Sequence, residues 1–325
     1  MPYVTINWAT GVDETGRPIE TSFARYTTTN SYISPTVGGG HNWQPMAFNP
    51  KTSLVYIPAR REAMMYGQNK NWKFSEDVRT ANLGIGYDPD MPEYKDSLAD
   101  KKLGALIAWD PITQKQVWSV EHATPWNAGV LTIDDLVFQG NAEGNFVAYD
   151  AKTGENVWEI SLATGIVASP ATYMVDDVQY ISIAVGWGGV YGLGNQNTKQ
   201  INPGTIYTFA LGKNEAMPVY PIKPDKVLIN LPVAGTDKEI ANGNARFDQY
   251  CSNCHKLNGG GSIPDLTFST QETLTLNSMN NIVRGGAYLP KGMPKFDDRL
   301  SEQDVADIKQ YILSVARKKR REMGM

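Results

Sequence analysis

Apolar and polar positions along the first two thirds of the chain fall into short runs. Leu54-Val55-Tyr56-Ile57, Gly104-Ala105-Leu106-Ile107-Ala108-Trp109, Leu136-Val137-Phe138, Phe146-Val147-Ala148-Tyr149 and Tyr180-Ile181-Ser182-Ile183-Ala184-Val185 are of strand length and are bounded by turn formers. That punctuation predicts β-strands joined by tight turns. The pattern changes near residue 215. Pro218, Pro221, Pro224 and Pro232 then follow closely and read as an extended linker. Beyond them the period turns helical. Residues 241–250 predict a short helix, and residues 301–321 a long one. Ser301 suits an N-cap with Asp304 three residues on, and Val305, Ile308, Tyr311, Ile312 and Val315 share one face. The helix closes on Arg317-Lys318-Lys319-Arg320-Arg321, where the helix dipole favours positive charge, and this reads as a solvated end.

An internal repeat lies in the β region. Residues 108–118, from Ala108-Trp109-Asp110 to Val117-Trp118, align with residues 148–158, from Ala148-Tyr149-Asp150 to Val157-Trp158. The offset is 40 residues. Each copy reads as a strand, an Asp-led turn and a second strand entering on Val-Trp. The Asp caps its own turn, the Thr three residues on does so more weakly, and Gly154 supplies a positive φ. Residues 48–56 are a weaker echo. A period near 40 with this content is the sequence form of a β-propeller blade, and the region has room for about four to five blades.

Composition narrows the possibilities. A length of 325 residues suits two domains, and a hydrophobic fraction of 41% is enough for real cores. The formal charge of −4 gives no reason to expect nucleic-acid binding. No apolar run is long enough to span a membrane, since residues 180–194 are broken by glycines. The start, Met1-Pro2-Tyr3-Val4-Thr5, lacks the basic-then-apolar order of a signal peptide. The 2 cysteines exclude a disulfide scaffold.

Those two cysteines carry the most specific signal. Cys251-Ser252-Asn253-Cys254-His255 is a C-x-x-C-H run, the attachment motif for c-type haem. Both thiols reach the porphyrin vinyl groups while the adjacent His presents a ring nitrogen to the iron. Zinc would need two more N or S ligands, and only His41 and His122 remain, far off in the β region. Gly243, Phe247 and Tyr250 precede the motif on a short helix. A sixth ligand is sought among Met279, Met293, Met323 and Met325, and Met293 is preferred, because Gly292-Met293-Pro294 is a rigid loop before the last helix.

A propeller, a Pro-rich linker and a C-terminal cytochrome c together resemble the quinohaemoprotein alcohol dehydrogenases, which use pyrroloquinoline quinone (PQQ) in an eight-bladed propeller. The resemblance rests on Gly40-His41-Asn42-Trp43-Gln44-Pro45-Met46-Ala47-Phe48-Asn49-Pro50, on residues 165–173 and on Ala184-Val185-Gly186-Trp187-Gly188-Gly189. It implies a mainly β plus α fold. Residues 1–215 would be a partial PQQ-type propeller, 216–235 a linker and 236–325 a helical cytochrome c domain with a basic tail. It implies that Asn42 and Trp43 contact PQQ, that Val185 and Trp187 reach it from a loop across the ring, and that the Pro264 carbonyl orients His255.

The matched motifs belong to the C-terminal half of such enzymes. The calcium ligands, an adjacent-cysteine disulfide and the catalytic aspartate are expected in an N-terminal half outside this chain. Asp134-Asp135 and Asp176-Asp177 sit at expected hairpin turns and are assigned to no calcium site. The chain therefore resembles the C-terminal portion of an enzyme, as a truncated gene model, a fragment or half of a split enzyme. Alcohols would be oxidised to aldehydes, with electrons passing from PQQ to haem c and on to an external acceptor: a cytochrome, a copper protein or a quinone-linked subunit. The alternative is a non-catalytic electron-transfer or assembly subunit with a propeller docking module. Covalent haem attachment and the family resemblance both imply the periplasm, the absent signal peptide then marking a missing N-terminus.

Overall fold

The structure is a computed structural model and describes residues 3–68, 73–74, 76, 93–94, 103–186, 204–222, 225–252, 254–255, 257 and 265–325. The chain divides into two compact units, and Pro224–Met325 belongs to the second.

In the first unit β1 (Ala9–Val12) and β2 (Pro18–Glu20) form a hairpin, and β3 (Asn30–Ile33) follows. The first four-stranded sheet takes β4 (Ala47–Asn49) and β5 (Leu54–Arg60), then β8 (Gly104–Asp110) and β9 (Lys115–His122), all antiparallel. Between them, β6 (Met64–Tyr66) and β7 (Glu93–Tyr94) pair with β3 instead. The second sheet is a meander of β10 (Val130–Ile133), β11 (Leu136–Gly140), β12 (Asn145–Asp150) and β13 (Asn156–Ser161). The third has three strands, β14 (Ala171–Val175), β15 (Val178–Val185) and β16 (Thr205–Ala210).

The sheets pack face to face. Tyr56, Leu106 and Trp118 of the first meet Val137, Val147 and Tyr149 of the second. Phe138, Phe146 and Leu162 meet Ile183, Val185 and Tyr207 of the third. Strands buried on both faces need the continuous apolar runs seen in the sequence. This is the packing of propeller blades. Among the described residues three such sheets stand in series, below the four to five allowed by length.

The repeat is reproduced down to its irregularities. Asp110 Oδ1 accepts from the backbone N–H groups of Ile112 and Thr113 at 2.8 and 3.1 Å, and Asp150 Oδ1 from those of Lys152 and Thr153, both at 2.9 Å. Both sheets slip register at the same place, after Ala108↔Trp118 and after Ala148↔Trp158. Val117 and Val157 are the extra residues of two equivalent bulges. The weaker echo differs: Asn49 caps the β4–β5 turn through Lys51 N–H at 2.9 Å, a different turn of the blade.

The second unit holds α1 (Asp237–Tyr250), α2 (Leu276–Val283) and α3 (Glu302–Glu322). Thr236 with Glu239, and Ser301 with Asp304, close reciprocal capping boxes, so α1 starts earlier than the apolar pattern predicts. Its core gathers Phe247, Leu274, Met279, Phe296, Leu300, Val305, Ile308 and Ile312. Gly243 is required where α1 crosses α3, because a Cβ there would lie 2.1 Å from the Asp307 carbonyl oxygen.

The proline-rich stretch is less free than a linker. Leu228 and Ile229 are buried, Ile229 N–H donates to the Thr267 carbonyl at 2.8 Å, and Gln310 Oε1 accepts from the N–H groups of Ala234 and Gly235, both at 3.0 Å. No helix among the described residues is long and apolar enough to cross a membrane.

Candidate functional site

The C-x-x-C-H run begins where α1 ends. Cys251 N–H donates to the Phe247 carbonyl at 2.8 Å, closing the helix. The Cys251 carbonyl then accepts from Cys254 N–H at 3.1 Å and His255 N–H at 2.8 Å. One tight backbone turn thus brings Cys251, Cys254 and His255 close together in the chain. The cysteines are not joined to each other. Burial pushes the Cys251 thiol up to about 12, with the neighbouring Cys254 and Asp248 adding to the rise. That is the opposite of the activated thiolate of a redox C-x-x-C pair. It suits a sulfur destined for a neutral thioether. Cys251, Tyr250, Leu231, Leu257 and Leu266 are all partly buried against the apolar core of this unit.

Met293 lies half-buried after the short 3₁₀ turn Leu289–Lys291, its N–H donating to the Tyr288 carbonyl at 3.1 Å. Gly292 before it has φ +86°, which fixes the loop's direction. Met279 is in the core, while Met323 and Met325 are exposed at the chain end. Pro264 lies outside the described residues. Its neighbour Asp265 is buried and takes the Lys319 ammonium at 2.8 Å on Oδ2 and the Thr267 hydroxyl at 2.6 Å on Oδ1. Lys319, expected in a solvated helix end, is therefore an internal cation. Arg320 likewise donates to the Ile229 carbonyl.

In the first unit, residues 38–44 form the loop that enters β4. Asn42 Nδ2 donates to the Gly38 carbonyl at 2.9 Å, and its Oδ1 accepts from Trp43 N–H at 2.9 Å. One N–H and one lone pair of the amide remain beyond these bonds. The Trp43 ring is 47% exposed. Behind the loop lies Arg60, only 4% exposed, a residue the apolar pattern did not single out. Its guanidinium pairs with Glu62, lies 3.8 Å over the Trp126 ring and fills the space where a Gly38 Cβ would stand. Arg60 Nε and Gln44 Oε1 are buried without hydrogen-bond partners among the described residues. Such atoms signal a polar group still to be accommodated. An exposed indole, an amide and a buried cation fit a flat polyanion.

Val185 stands elsewhere than expected. It is the last residue of β15, paired with Thr205 and buried among Ala128, Phe138 and Ile183, so it is a packing residue and not a loop residue. Trp187 lies outside the described residues. His41 Nδ1 lies 3.0 Å from the Pro58 carbonyl and ties its loop to β5, and His122 Nε2 is 3.0 Å from Gln139 Oε1 and ties the first sheet to the second. Asp134 and Asp176-Asp177 have positive φ at hairpin turns, and Lys51 pairs with Asp134 at 2.8 Å. Among the described residues no three His, Cys, Asp or Glu side chains gather as a metal site.

Comparison with known proteins agrees with both units. Residues 90–181 match the family described as glucose/ethanol/alcohol dehydrogenase, beta-propeller domain, and residues 238–312 match cytochrome C oxidase, cbb3-type, subunit III. The chain is 39% identical to a 1-butanol dehydrogenase (cytochrome c) of Thauera butanivorans, covering 97% of this chain and 46% of that protein. It is 39% identical to a quinohemoprotein alcohol dehydrogenase of Comamonas testosteroni, covering 97% and 45%. The crystal structure of quinohemoprotein alcohol dehydrogenase from Comamonas testosteroni superposes with a TM-score of 0.84 over 98% of this chain and 47% of that one. The chain spans about half the length of these relatives. With its blade-like sheets and its cytochrome c domain, it is a relative of the quinohaemoprotein alcohol dehydrogenases, matched along nearly all of its own length.

Proposed function

We propose that this chain is the C-terminal portion of a periplasmic PQQ- and haem c-dependent alcohol dehydrogenase. In this reading it holds one face of the quinone and the whole of the haem. The observation that carries it is the C-x-x-C-H run on one backbone turn that closes α1, with Cys251 partly buried against the core, on a chain whose other unit is a run of blade-like sheets.

Cys251 and Cys254 would hold haem c covalently, with His255 and Met293 as its iron ligands. Asn42, Trp43 and Trp187 would hold PQQ. When bound, PQQ supplies the two-electron acceptor for alcohol oxidation and haem the single-electron path outward. The Trp43 indole offers a plane for a quinone ring. The loop bonds of Asn42 to the Gly38 carbonyl and the Trp43 N–H hold its amide in place beside that residue. Arg60 brings a buried positive charge to the back of the same loop. His255 and Met293 would hold the iron, Met293 as a soft ligand that favours the reduced state. The proton acceptor for the alcohol and the calcium ligands belong, in this reading, to the half of the relatives that the chain does not span. Electrons leave to an external acceptor.

The test is a visible spectrum of the haem-matured chain with PQQ, calcium and 1-butanol or ethanol, before and after dithionite. We expect c-type bands, reduced by dithionite and not by alcohol alone. Alcohol-driven reduction would place a working catalytic site within this chain and overturn the assignment of the base to the other half. Absence of c-type bands would overturn the reading as a whole.

A further inference from the structure

The C-terminal end of α3 and the stretch 227–230 enclose a groove of about 540 Å³ in the second unit, lined by Val227, Leu228, Asn230, Arg317, Arg320, Arg321 and Met325. Its floor and rim are apolar, since Leu228 is buried while Val227 and Met325 are exposed. Its walls are three guanidinium groups, and among the described residues no Asp or Glu side chain lines it.

The five consecutive basic residues of α3 divide by what they touch. Lys319 is taken by Asp265 at 2.8 Å, Lys318 lies 3.9 Å from Glu322, and Arg320 is anchored on the Ile229 carbonyl. Among the described residues the side chains of Arg317 and Arg321 have no ion pair and no hydrogen bond, and both line the groove. The helix dipole accounts for some positive charge in the last turn. It does not account for Arg317, which precedes the final turn, nor for an apolar floor between the arginines.

We propose that this groove receives a short acidic segment of a partner protein. Its carboxylates would pair with Arg317 and Arg321, bidentate as guanidinium allows. Its apolar side chains would cover Val227, Leu228 and Met325. Charge complementarity selects the occupant: this end is cationic on a chain of net charge −4. A recessed floor suits a peptide that can enter it, whereas a flat anionic lipid surface would meet only the rim. No aromatic ring lines the groove to stack a nucleobase.

The experiment uses the full haem-matured chain and a fluorescein-labelled six-residue peptide of alternating Glu and Leu, followed by anisotropy. Controls are the same peptide with Gln for Glu, and vesicles of phosphatidylglycerol. We expect saturable binding to the Glu peptide that weakens with added salt. Arg317→Glu with Arg321→Glu should weaken it at least tenfold while leaving the haem bands and melting temperature unchanged. Lys318→Glu, outside the groove, should leave it within twofold. The proposal is overturned if the Glu peptide does not bind, if the Gln peptide binds as well, or if Lys318→Glu acts as strongly. Co-sedimentation with the vesicles in place of peptide binding would assign the groove to lipid and also overturn it.

Discussion

Lys319 and Asp265 are a buried pair that joins the residue after the 258–264 segment to the last helix. Burial alone would raise the Asp265 carboxyl, yet the Lys319 ammonium and the Thr267 hydroxyl and N–H hold it below the usual range. A carboxylate with a depressed folded value adds stability above its unfolded value and loses it as the pH falls through the folded one. The wild type should therefore lose stability on acidification more steeply than Asp265→Asn, as read by urea midpoints at stepped pH. Lys319→Met leaves that carboxylate without its cation and should cost about 3–5 kcal/mol, part of it recovered in the Asp265→Asn, Lys319→Met double variant. An additive double variant would show that the two residues act separately. At the iron, Met293→Ala should lower the midpoint potential of the haem, because a soft thioether ligand stabilises the reduced metal. An unchanged potential would remove Met293 from the ligand set.

At the scale of elements, the two copies of the repeat do unequal work. Trp118 is 9% exposed, donates from Nε1 to the Ala151 carbonyl at 3.1 Å, and lies against Tyr56 and Gly154. Trp158, its counterpart, is 40% exposed and meets only ring edges of Phe146 and Phe209 among its described ring contacts. The third sheet carries Ala210-Leu211-Gly212 where the second has Asp150-Ala151-Lys152, so it lacks the Asp-capped turn. Trp118→Ala should cost about 3–5 kcal/mol in urea unfolding and Trp158→Ala clearly less; equal losses would refute the docking role. Gly243→Val forces a methyl group into the Asp307 carbonyl and should open the α1–α3 crossing, read as a lower melting temperature and weaker haem retention. The repeat, the Ser301 capping box and the C-x-x-C-H run are local patterns, which is why residues alone reveal them. Arg60 behind the Asn42 loop and Lys319 on Asp265 depend on contacts 22 and 54 residues apart in sequence, which no local pattern encodes. Val185 closes the strand that its apolar run predicts, paired with Thr205 of β16, and is not a loop residue.

At the scale of the whole molecule, the outer face of the third sheet is open among the described residues. β14 is an edge strand with every residue exposed, and its sequence Ala-Thr-Tyr-Met-Val contains no charge and no proline. Tyr173 stacks on Tyr180 at 5.6 Å, and the exposed Ile206 lies farther along the sheet, paired with Ala184. Charges, bulges or prolines normally guard such an edge. On the second sheet the equivalent inner face is covered by a neighbouring sheet, with Phe146 and Phe209 at 5.7 Å. A face built like a blade's and left uncovered drives association. The isolated chain should therefore self-associate with rising concentration, measured by sedimentation velocity. Tyr173→Lys with Ile206→Lys should shift it to the monomer without altering the haem bands, which belong to the other unit. Association that survives both substitutions would place the contact elsewhere. Within the proposed enzyme, the same face is where a further blade from the other half would pack, and adding that half should suppress self-association as effectively as the two lysines.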